Sequence, residues 1–544
     1  MGSVDANTKI KEKWFMNWDL IESANMLYKD DSLWKERNLS ILEFQLRILD
    51  IVHLKKTPLI EKINFLSIID TNLRDFVSTR LLSNSLSERS NLVHVIENIY
   101  RKMADCLIYY GETYGFTCPS YKEYCTLEVE PPEVTYSGES PNELREEMLQ
   151  KVDIANMIVI MQSQGFVISA VQQKQIEAII EIPDIIWGIP QLIEMTKTWI
   201  DPKLRYPKLV ENFHEILNED YYAYLQQNDV LVRCPYDSYE TVVRFVCEMA
   251  SHPKIRTIMI TLYRTAHENS KILHALKMAK MNGKDVFVFV ETTARGDEDH
   301  NLRTMEELRS VGIMVSNGYL NYKVHAKLCV AIDKTGLIFT HIGTGNYNEN
   351  TSKLYTDFHY LTTNPSIGEA SVDILHSIFT KKDVKIQTLN GPLSVSPVNF
   401  RMQITDLIEQ EKLKGEYGLI RIKCNSICDC GIIKKLYDAA DNGVDVRIIC
   451  RTACSMRYHK NIIIKSKVGR FLEHDRFYIF GHRCFISSAD LLLRNINKRI
   501  ELLCEITNPN LRWKIASEFG KLWNDQWIHQ MDSSGRWHIC DGDS

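Results

Sequence analysis

Apolar residues between Leu39 and Arg80 recur at three- and four-residue spacing: Ile41, Phe44, Ile48 and Ile51, then Ile60, Ile63 and Leu66 to Ile69. That period gathers them on one face of a helix and predicts a helical N-terminal region. A stretch bearing Pro131, Pro132, Ser137, Gly138 and Pro141 interrupts the pattern. After it, IANMIVIM (154–161) and GFVISAV (165–171) read as apolar strands, and the charged ELREEMLQK (143–151) as a solvated helix face. From about Asn228 the texture becomes strand–helix alternation. RTIMITLY (256–263) and DVFVFVE (285–291) are β-branched and aromatic runs, and SKILHALKMAKMNG between them has helical spacing, which predicts a parallel α/β sheet. GPLSVSPVNF (391–400), with two prolines and a glycine, reads as an interior linker, and the alternation resumes beyond it.

The resumption is an internal repeat. Ile272, Leu276, Ala279, Asn282, Gly283, Asp285 and Val286 recur as Ile432, Leu436, Ala439, Asn442, Gly443, Asp445 and Val446 at a constant offset of 160. Each copy reaches a charged residue after its strand, Glu291 or Arg451. Each then carries a His on a strand followed by a turn of small residues, His325 before GTGNYN (343–348) and His474 before SSAD (487–490). Asn-Gly-x-Asp-Val is a natural helix stop and strand start, but seven identities in one register, each with a downstream His, favour duplication. Two similar lobes each offering one His suggest a shared site.

VHAKLCVAI (324–332) places His325 and Lys327 two apart on an apolar strand, so both side chains are expected on one face. A His nucleophile beside a fixed cation suits attack on phosphorus, and the glycines of GTGNYN suit a phosphate cradle. The second copy, FLEHDRF (471–477), has Arg476 in place of the lysine. Arg264, Arg295 and Arg451 follow strands of the alternating region, and the carboxyl ends of parallel strands are where open α/β sheets bind ligands. Cys424, Cys428, Cys430, Cys450 and Cys454 lack the spacing of a structural zinc site. The acidic GDEDH (296–300) could hold a divalent cation, and an exposed loop explains it equally well.

Composition narrows the class of protein. The 544 residues carry 65 Lys and Arg against 70 Asp and Glu, with 44% hydrophobic residues. This is ordinary globular composition, and the net charge of −5 argues against general binding of nucleic acid. Met1 to Trp14 hold no apolar leader-like run, and no apolar stretch approaches a membrane span. A reducing, cytoplasmic setting with free thiols is the expectation for the fourteen scattered cysteines.

Several longer segments carry a resemblance. CPYDSYETVVRF (234–245), TLYRTA (261–266), VETTARGDEDHN (290–301), VHAKLCV (324–330) and HIGTGNYNENTSKLYTD (341–357) resemble the bacterial polyphosphate kinases of the first, large type. So do VGRFLEHDRFYIFG (468–481) and ISSADLLLRN (486–495), while NLSILEFQLRIL (38–49) and PLIEKINFLSIIDTNLRDF (58–76) look like that family's opening helices. The resemblance implies an α/β multidomain chain: a helical N-terminal domain (1–100), a reduced α+β head domain (101–225), and two phospholipase-D-like lobes (226–390 and 391–544). It implies reversible transfer of the ATP terminal phosphate to polyphosphate. His325 would be the phosphohistidine nucleophile beside Lys327, and His474 the second essential histidine, near the nucleotide. Gln45, Tyr355 and Arg451 would contact nucleotide, and Arg264 and Arg295 would serve the phosphate and magnesium site. The implied partners are ATP or ADP with Mg²⁺, inorganic polyphosphate and further copies of the chain, with peripheral membrane association. The chain departs from the family at Gln45 (an Asn in the family), at Arg74 (an acid) and in the shortened loop MRYHKNIII (456–464). These departures keep open a weak polyphosphate- or nucleotide-binding relative. A phospholipase-D-type phosphodiesterase is the other alternative, although its H-x-K-x4-D pattern would need an acid at Ile332, and the nearest acid is Asp333.

Overall fold

A computed structural model describes residues 35–80, 86–116, 186, 189–264, 270–292, 298–384 and 391–540. The chain divides into two compact units, residues 1–207 and 208–544. The proposed strands at 154–161 and 165–171 and the charged segment 143–151 lie outside the described residues.

In the first unit the apolar spacing produces three helices: α1 (Arg37–His53), α2 (Leu59–Thr79) and α3 (Leu86–Tyr114), with a short α4 (Ile189–Thr196). The break between α1 and α2 has a local cause. Pro58 cannot donate a backbone hydrogen bond and disfavours helix at the residue before it. Leu39, Leu42, Ile60, Ile63, Ile96 and Met103 are buried among these helices.

In the second unit, one sheet of each lobe repeats the other. The first lobe contributes β1 (Val230–Cys234), β2 (Ile255–Leu262), β3 (Asp285–Val290), β4 (Met314–Ser316), β5 (Lys323–Val324), β6 (Lys327–Asp333), β7 (Ile338–Gly343) and β8 (Tyr355–Thr362). Its main sheet runs β1-β8-β7-β6-β2-β3-β4. The second lobe contributes β9 (Leu393–Val395), β10 (Leu419–Cys424), β11 (Asp445–Cys450), β12 (Ile462–Lys467), β13 (Leu472–Glu473), β14 (Arg476–Phe480), β15 (Arg483–Ser487), β16 (Arg499–Ile500), β17 (Leu502–Ile506), β18 (Ile528–Met531) and β19 (Trp537–Ile539). Read from β9, its sheet runs β9-β17-β15-β14-β10-β11-β12 and then β18 and β19. The first seven strands of the second order match the seven of the first one for one.

The seven repeated identities run from equivalent helices, α5 (Lys271–Met281) and α6 (Cys430–Asp441), through the Asn-Gly turns and into the starts of β3 and β11. Ser270 caps the first by accepting Leu273 N–H, and Asp429 caps the second by accepting Ile432 N–H. Gly283 and Gly443 end them at φ of 79° and 93°, a conformation that side chains disfavour. One apolar core joins the lobes: Leu231, Phe358, Ile374 and Leu375 of the first share it with Leu393, Phe477, Ile486 and Leu502 of the second.

Two expectations are corrected. The 391–400 segment is not a linker: Leu393–Val395 forms β9 on the edge of the second sheet, paired with β17, and the prolines only bound it. Nor is 296–300 wholly an exposed loop, because Glu298 opens a helix running to Ser310. Acidic side chains at a helix start are stabilised by the dipole and the unpaired N–H groups there.

Candidate active site

The two histidines do not sit on continuous strands. His325 and Ala326 separate β5 from β6, and His474 and Asp475 separate β13 from β14. The sequence suggested uninterrupted strands; the interruptions arise because both segments leave their own sheet to pair with the other lobe. β5 runs parallel to β16, Lys323 opposite Arg499 and Val324 opposite Ile500. β13 runs parallel to β8, Leu472 opposite Tyr355 and Glu473 opposite Thr356. His325 N–H then donates to Ile500 O at 2.9 Å, and His474 N–H to Thr356 Oγ1 at 3.0 Å.

This exchange sets up a reciprocal pair of sites. One residue past β16 stands Glu501, whose Oε2 is 2.9 Å from His325 Nδ1. The matching first-lobe carboxylate is Asp357, whose Oδ1 and Oδ2 are 2.8 and 3.0 Å from His474 Nδ1. Each histidine is therefore oriented by a carboxylate from the opposite lobe. Each carboxylate is held in turn by a hydroxyl from the turn after β7 or β15: Thr344 Oγ1 donates to Asp357 at 2.6 Å, and Ser488 Oγ to Glu501 at 2.6 Å. An ionised carboxylate only accepts, so the proton on each ring belongs on Nδ1 and the lone pair on Nε2.

The surroundings are strongly cationic. Lys327 is buried, with Nζ 2.6 Å from the His325 carbonyl and 5.1 Å from the Tyr263 ring centroid. Tyr263 sets its ring edge-on to His325 at 4.7 Å between centroids, and Tyr355 lies 5.4 Å from His474. Arg476 Nη1 is 3.3 Å from His474 Nε2. Burial, then Lys327, Arg499 and Arg476, push His325 well below the usual imidazole range. Burial, then Arg476, take His474 down to about 4. Both rings are consequently neutral near pH 7. Burial likewise lowers Lys327, which Glu501 opposes, and raises Glu501, which Lys327 and Arg499 oppose.

Of the residues singled out from sequence, the structure brings His325, Lys327, His474, Tyr355 and Arg451 into one region. Arg451 is lowered by burial and then influenced by Asp490, Arg476, Glu473 and Tyr355. Arg264 follows β2, its guanidinium 5.9 Å from the Tyr263 ring centroid. Arg295 lies outside the described residues. Gln45 belongs to the first unit, where its Nε2 donates to Ile41 O and its Oε1 accepts from Asn72. Arg74 pairs with Asp70 one turn away at 2.9 Å. Asp333 stands at the far end of β6 and accepts from Tyr222, Thr335 and Leu337, a turn-holding role remote from His325.

The glycines of GTGN serve close packing. A Cβ on Gly345 would fall 2.2 Å from Asp357 Oδ2, so the turn needs glycine to let the carboxylate through. Sequence reasoning missed Glu501, Asp357, Thr344 and Ser488. The repeat held a signal for them, since Thr344 and Ser488 each directly follow the matching strands β7 and β15.

The solved polyphosphate kinase from Porphyromonas gingivalis has this fold: it covers 94% of this chain and 97% of its own, with a TM-score of 0.72 at 23% identity. The class is thus a tandem pair of α/β lobes preceded by a helical domain. Family models for polyphosphate kinase match in three successive pieces: the N-terminal domain at 34–99, C-terminal domain 1 at 220–384 and C-terminal domain 2 at 393–544. The chain belongs to the polyphosphate kinase family. Among similar proteins, the polyphosphate kinase of Bacillus cereus is 38% identical over 331 residues, 58% of this chain and 47% of that one. Those of Mycolicibacterium paratuberculosis and Campylobacter jejuni are 35% and 34% identical over 362 and 347 residues, 62% and 61% of this chain. The aligned part spans about half the length of these relatives.

Proposed function

We propose that the chain is an ATP:polyphosphate phosphotransferase working through a phosphohistidine on His325. The observation that carries this reading is the reciprocal pair of carboxylate-oriented, neutral histidines set among Lys327, Arg476, Arg451 and Arg499. Glu501 holds the His325 proton on Nδ1 and leaves the Nε2 lone pair to attack the terminal phosphorus of ATP. As the N–P bond forms, the P–O bond to ADP breaks and its electron pair leaves on the ADP oxygen. Lys327 and the arginines offset charge on the three transferring oxygens. A terminal oxygen of polyphosphate then displaces the histidine, lengthening the chain by one phosphate, and the same steps reversed regenerate ATP.

His474, once a bound phosphate offsets the surrounding cations, serves as proton donor to the leaving oxygen and acceptor on reversal. Tyr355 and Arg451 are assigned to the nucleotide. Arginines cannot ligate a cation, and no group of three or more His, Cys, Asp or Glu converges as a metal site among the described residues. Mg²⁺ is assigned to the substrate, as magnesium–ATP, with Arg264 meeting the phosphate that carries it. A cytoplasmic setting, where ATP is abundant, fits the free cysteines of the described residues. No described helix is long and apolar enough to cross a membrane.

The test is brief incubation with magnesium and ATP labelled at the terminal phosphate, against ATP labelled at the innermost phosphate. Acid-labile, alkali-stable label from the terminal position alone, absent in His325→Ala and returned to ADP on chase, is the expected result. Unlabelled protein that nevertheless binds ATP overturns the reading.

A further inference from the structure

Duplication leaves a chemical question. Both half-sites present a neutral ring with Nδ1 on a carboxylate of the other lobe, a hydroxyl on that carboxylate, and a cation two residues beyond the histidine. Either ring could in principle accept the phosphoryl group, yet the proposed mechanism needs one nucleophile and one proton donor.

The two halves differ at Nε2, the reacting nitrogen. Lys327 donates to the His325 carbonyl, and His325 Nε2 has no protein hydrogen bond among the described residues. Arg476 instead places Nη1 3.3 Å from His474 Nε2, donating into the lone pair that an attack on phosphorus would use. Arg476 is buried and aimed by Asp490, which lies 3.5 Å from both its Nε and its Nη2. Asp490 is itself locked, accepting the backbone N–H groups of Asn425 at 2.7 Å and Ser426 at 3.1 Å. It stands three residues past β15. The residue three past β7 is Asn346, which is neutral. The distinction between the halves thus falls on one register position.

We propose that Asp490 selects which histidine becomes phosphorylated, by holding Arg476 on the lone pair of His474 until bound phosphate draws Arg476 off and a proton takes that lone pair, so that His474 offers none to phosphorus in either state and His325 is left as the nucleophile. Asp490 touches neither ring; it is a positioning residue acting through Arg476. Its carboxylate also adds a negative charge to the half-site where no phosphoryl group is to bind covalently. In the step it suppresses, His474 Nε2 would form the N–P bond while the P–O bond to ADP breaks and the electron pair leaves on ADP. The Nδ1 proton would stay with Asp357. This inference rests on the phosphotransfer reading given above.

Asp490→Asn removes the charge while keeping the oxygen that accepts the two backbone N–H groups. Protein labelled from the terminal phosphate of magnesium–ATP is digested at alkaline pH, and the phosphohistidine is mapped by mass spectrometry. Expected is phosphate on His325 alone in the unaltered chain, none in His325→Ala, and phosphate on His474 in the double variant His325→Ala/Asp490→Asn. Arg476→Lys in the His325→Ala background copies the first half-site and should also direct phosphate to His474, which covers failure of the Asp490 variant to fold. Unaltered protein labelled on His325 with both folded, nucleotide-binding double variants silent overturns the selection by Asp490 alone. Unaltered protein that takes no label overturns the phosphotransfer reading and this inference with it.

Discussion

Replacing Glu501 by Gln separates orientation of His325 from the rest of the site. Glu501 is fully buried, accepts His325 Nδ1–H at 2.9 Å and Ser488 Oγ–H at 2.6 Å, and offsets Lys327 and Arg499. The amide has nearly the same shape and can settle in two ways. With its carbonyl toward His325 the tautomer survives and only the charge is lost. A hydrogen bond to a charged group is worth about 1.5–3 kcal/mol. At about 1.4 kcal/mol per tenfold, the rate falls by roughly one to two orders of magnitude. With its NH₂ toward Nδ1 the proton moves to Nε2 and the nucleophilic lone pair disappears. The corresponding Asp-to-Asn change beside a catalytic histidine in serine proteases costs about 10⁴.

Glu501→Gln is therefore expected to slow single-turnover labelling of His325 by between about tenfold and about 10⁴. Labelling is followed by rapid quench at saturating magnesium–ATP. The variant also leaves buried cations without their counter-ion, so unfolding free energy should drop, by up to about 3–5 kcal/mol on the scale for broken buried pairs. Circular dichroism at the assay temperature confirms that the population measured is folded. A folded variant that labels within twofold of the unaltered rate would show that Glu501 does not set the tautomer, and the argument from reciprocity would fail.

Gly345→Ala places a methyl against the Asp357 carboxylate and should displace the partner of His474. Because His474 is the proton donor to the leaving ADP oxygen, the single-turnover rate of His325 labelling and steady-state turnover should both fall at least about tenfold; a folded variant in which neither slows refutes that role for His474. Burial holds His359 and His474 near 4 and lowers His325 and His341, so below about pH 6.5 the unfolded chain binds protons that the fold refuses. Stability then rises with pH across this window and is lost progressively from 6.5 toward 4. His359 alone contributes roughly 3 kcal/mol by the lower limit. Urea unfolding midpoints that stay flat between pH 7 and 5 contradict this. Arg233→Met leaves Asp475, Glu473 and Glu518 without the guanidinium that meets them at 3.0, 3.8 and 2.7 Å. It should cost about 3–5 kcal/mol in denaturant unfolding, and a loss below about 1 kcal/mol would mark the network as energetically idle.

Much of the architecture was written locally. Helix–turn–strand units announce themselves through period, a capping Ser270 or Asp429, and the Asn-Gly stops, all short-range features of the chain. The repeat carried the pairing of His325 with His474 for the same reason. What escaped was information held between lobes. Asp357 and Glu501 are single acids at strand ends, ordinary to inspection, and each meets its histidine across well over a hundred residues of chain. The two-residue pairings that bring them there, β5 with β16 and β13 with β8, are too short to leave a pattern in sequence. The same pairings break the histidine strands, which is why uninterrupted strands were the natural expectation.

Reciprocity has a further consequence for how this site depends on the fold. If each lobe oriented its own histidine, a small shift between lobes would change the size of the cleft and leave both tautomers intact. Here His325 answers to the second lobe and His474 to the first, so one shift disturbs both rings together. The shared core opposes such a shift, with Phe358 edge-on to Phe477 at 5.5 Å, and so does the Arg233 network that crosses from β1 to Asp475. Buried ion pairs contribute little net stability against apolar replacements, but they penalise misregister severely, because any misplacement strands a charge in a dry interior. Packing alone would tolerate small sliding of one apolar face on another. The charged network converts the same sliding into broken pairs beside His474. The energetic role of these ions is therefore one of register, and the register is what keeps two chemically similar histidines in two different environments.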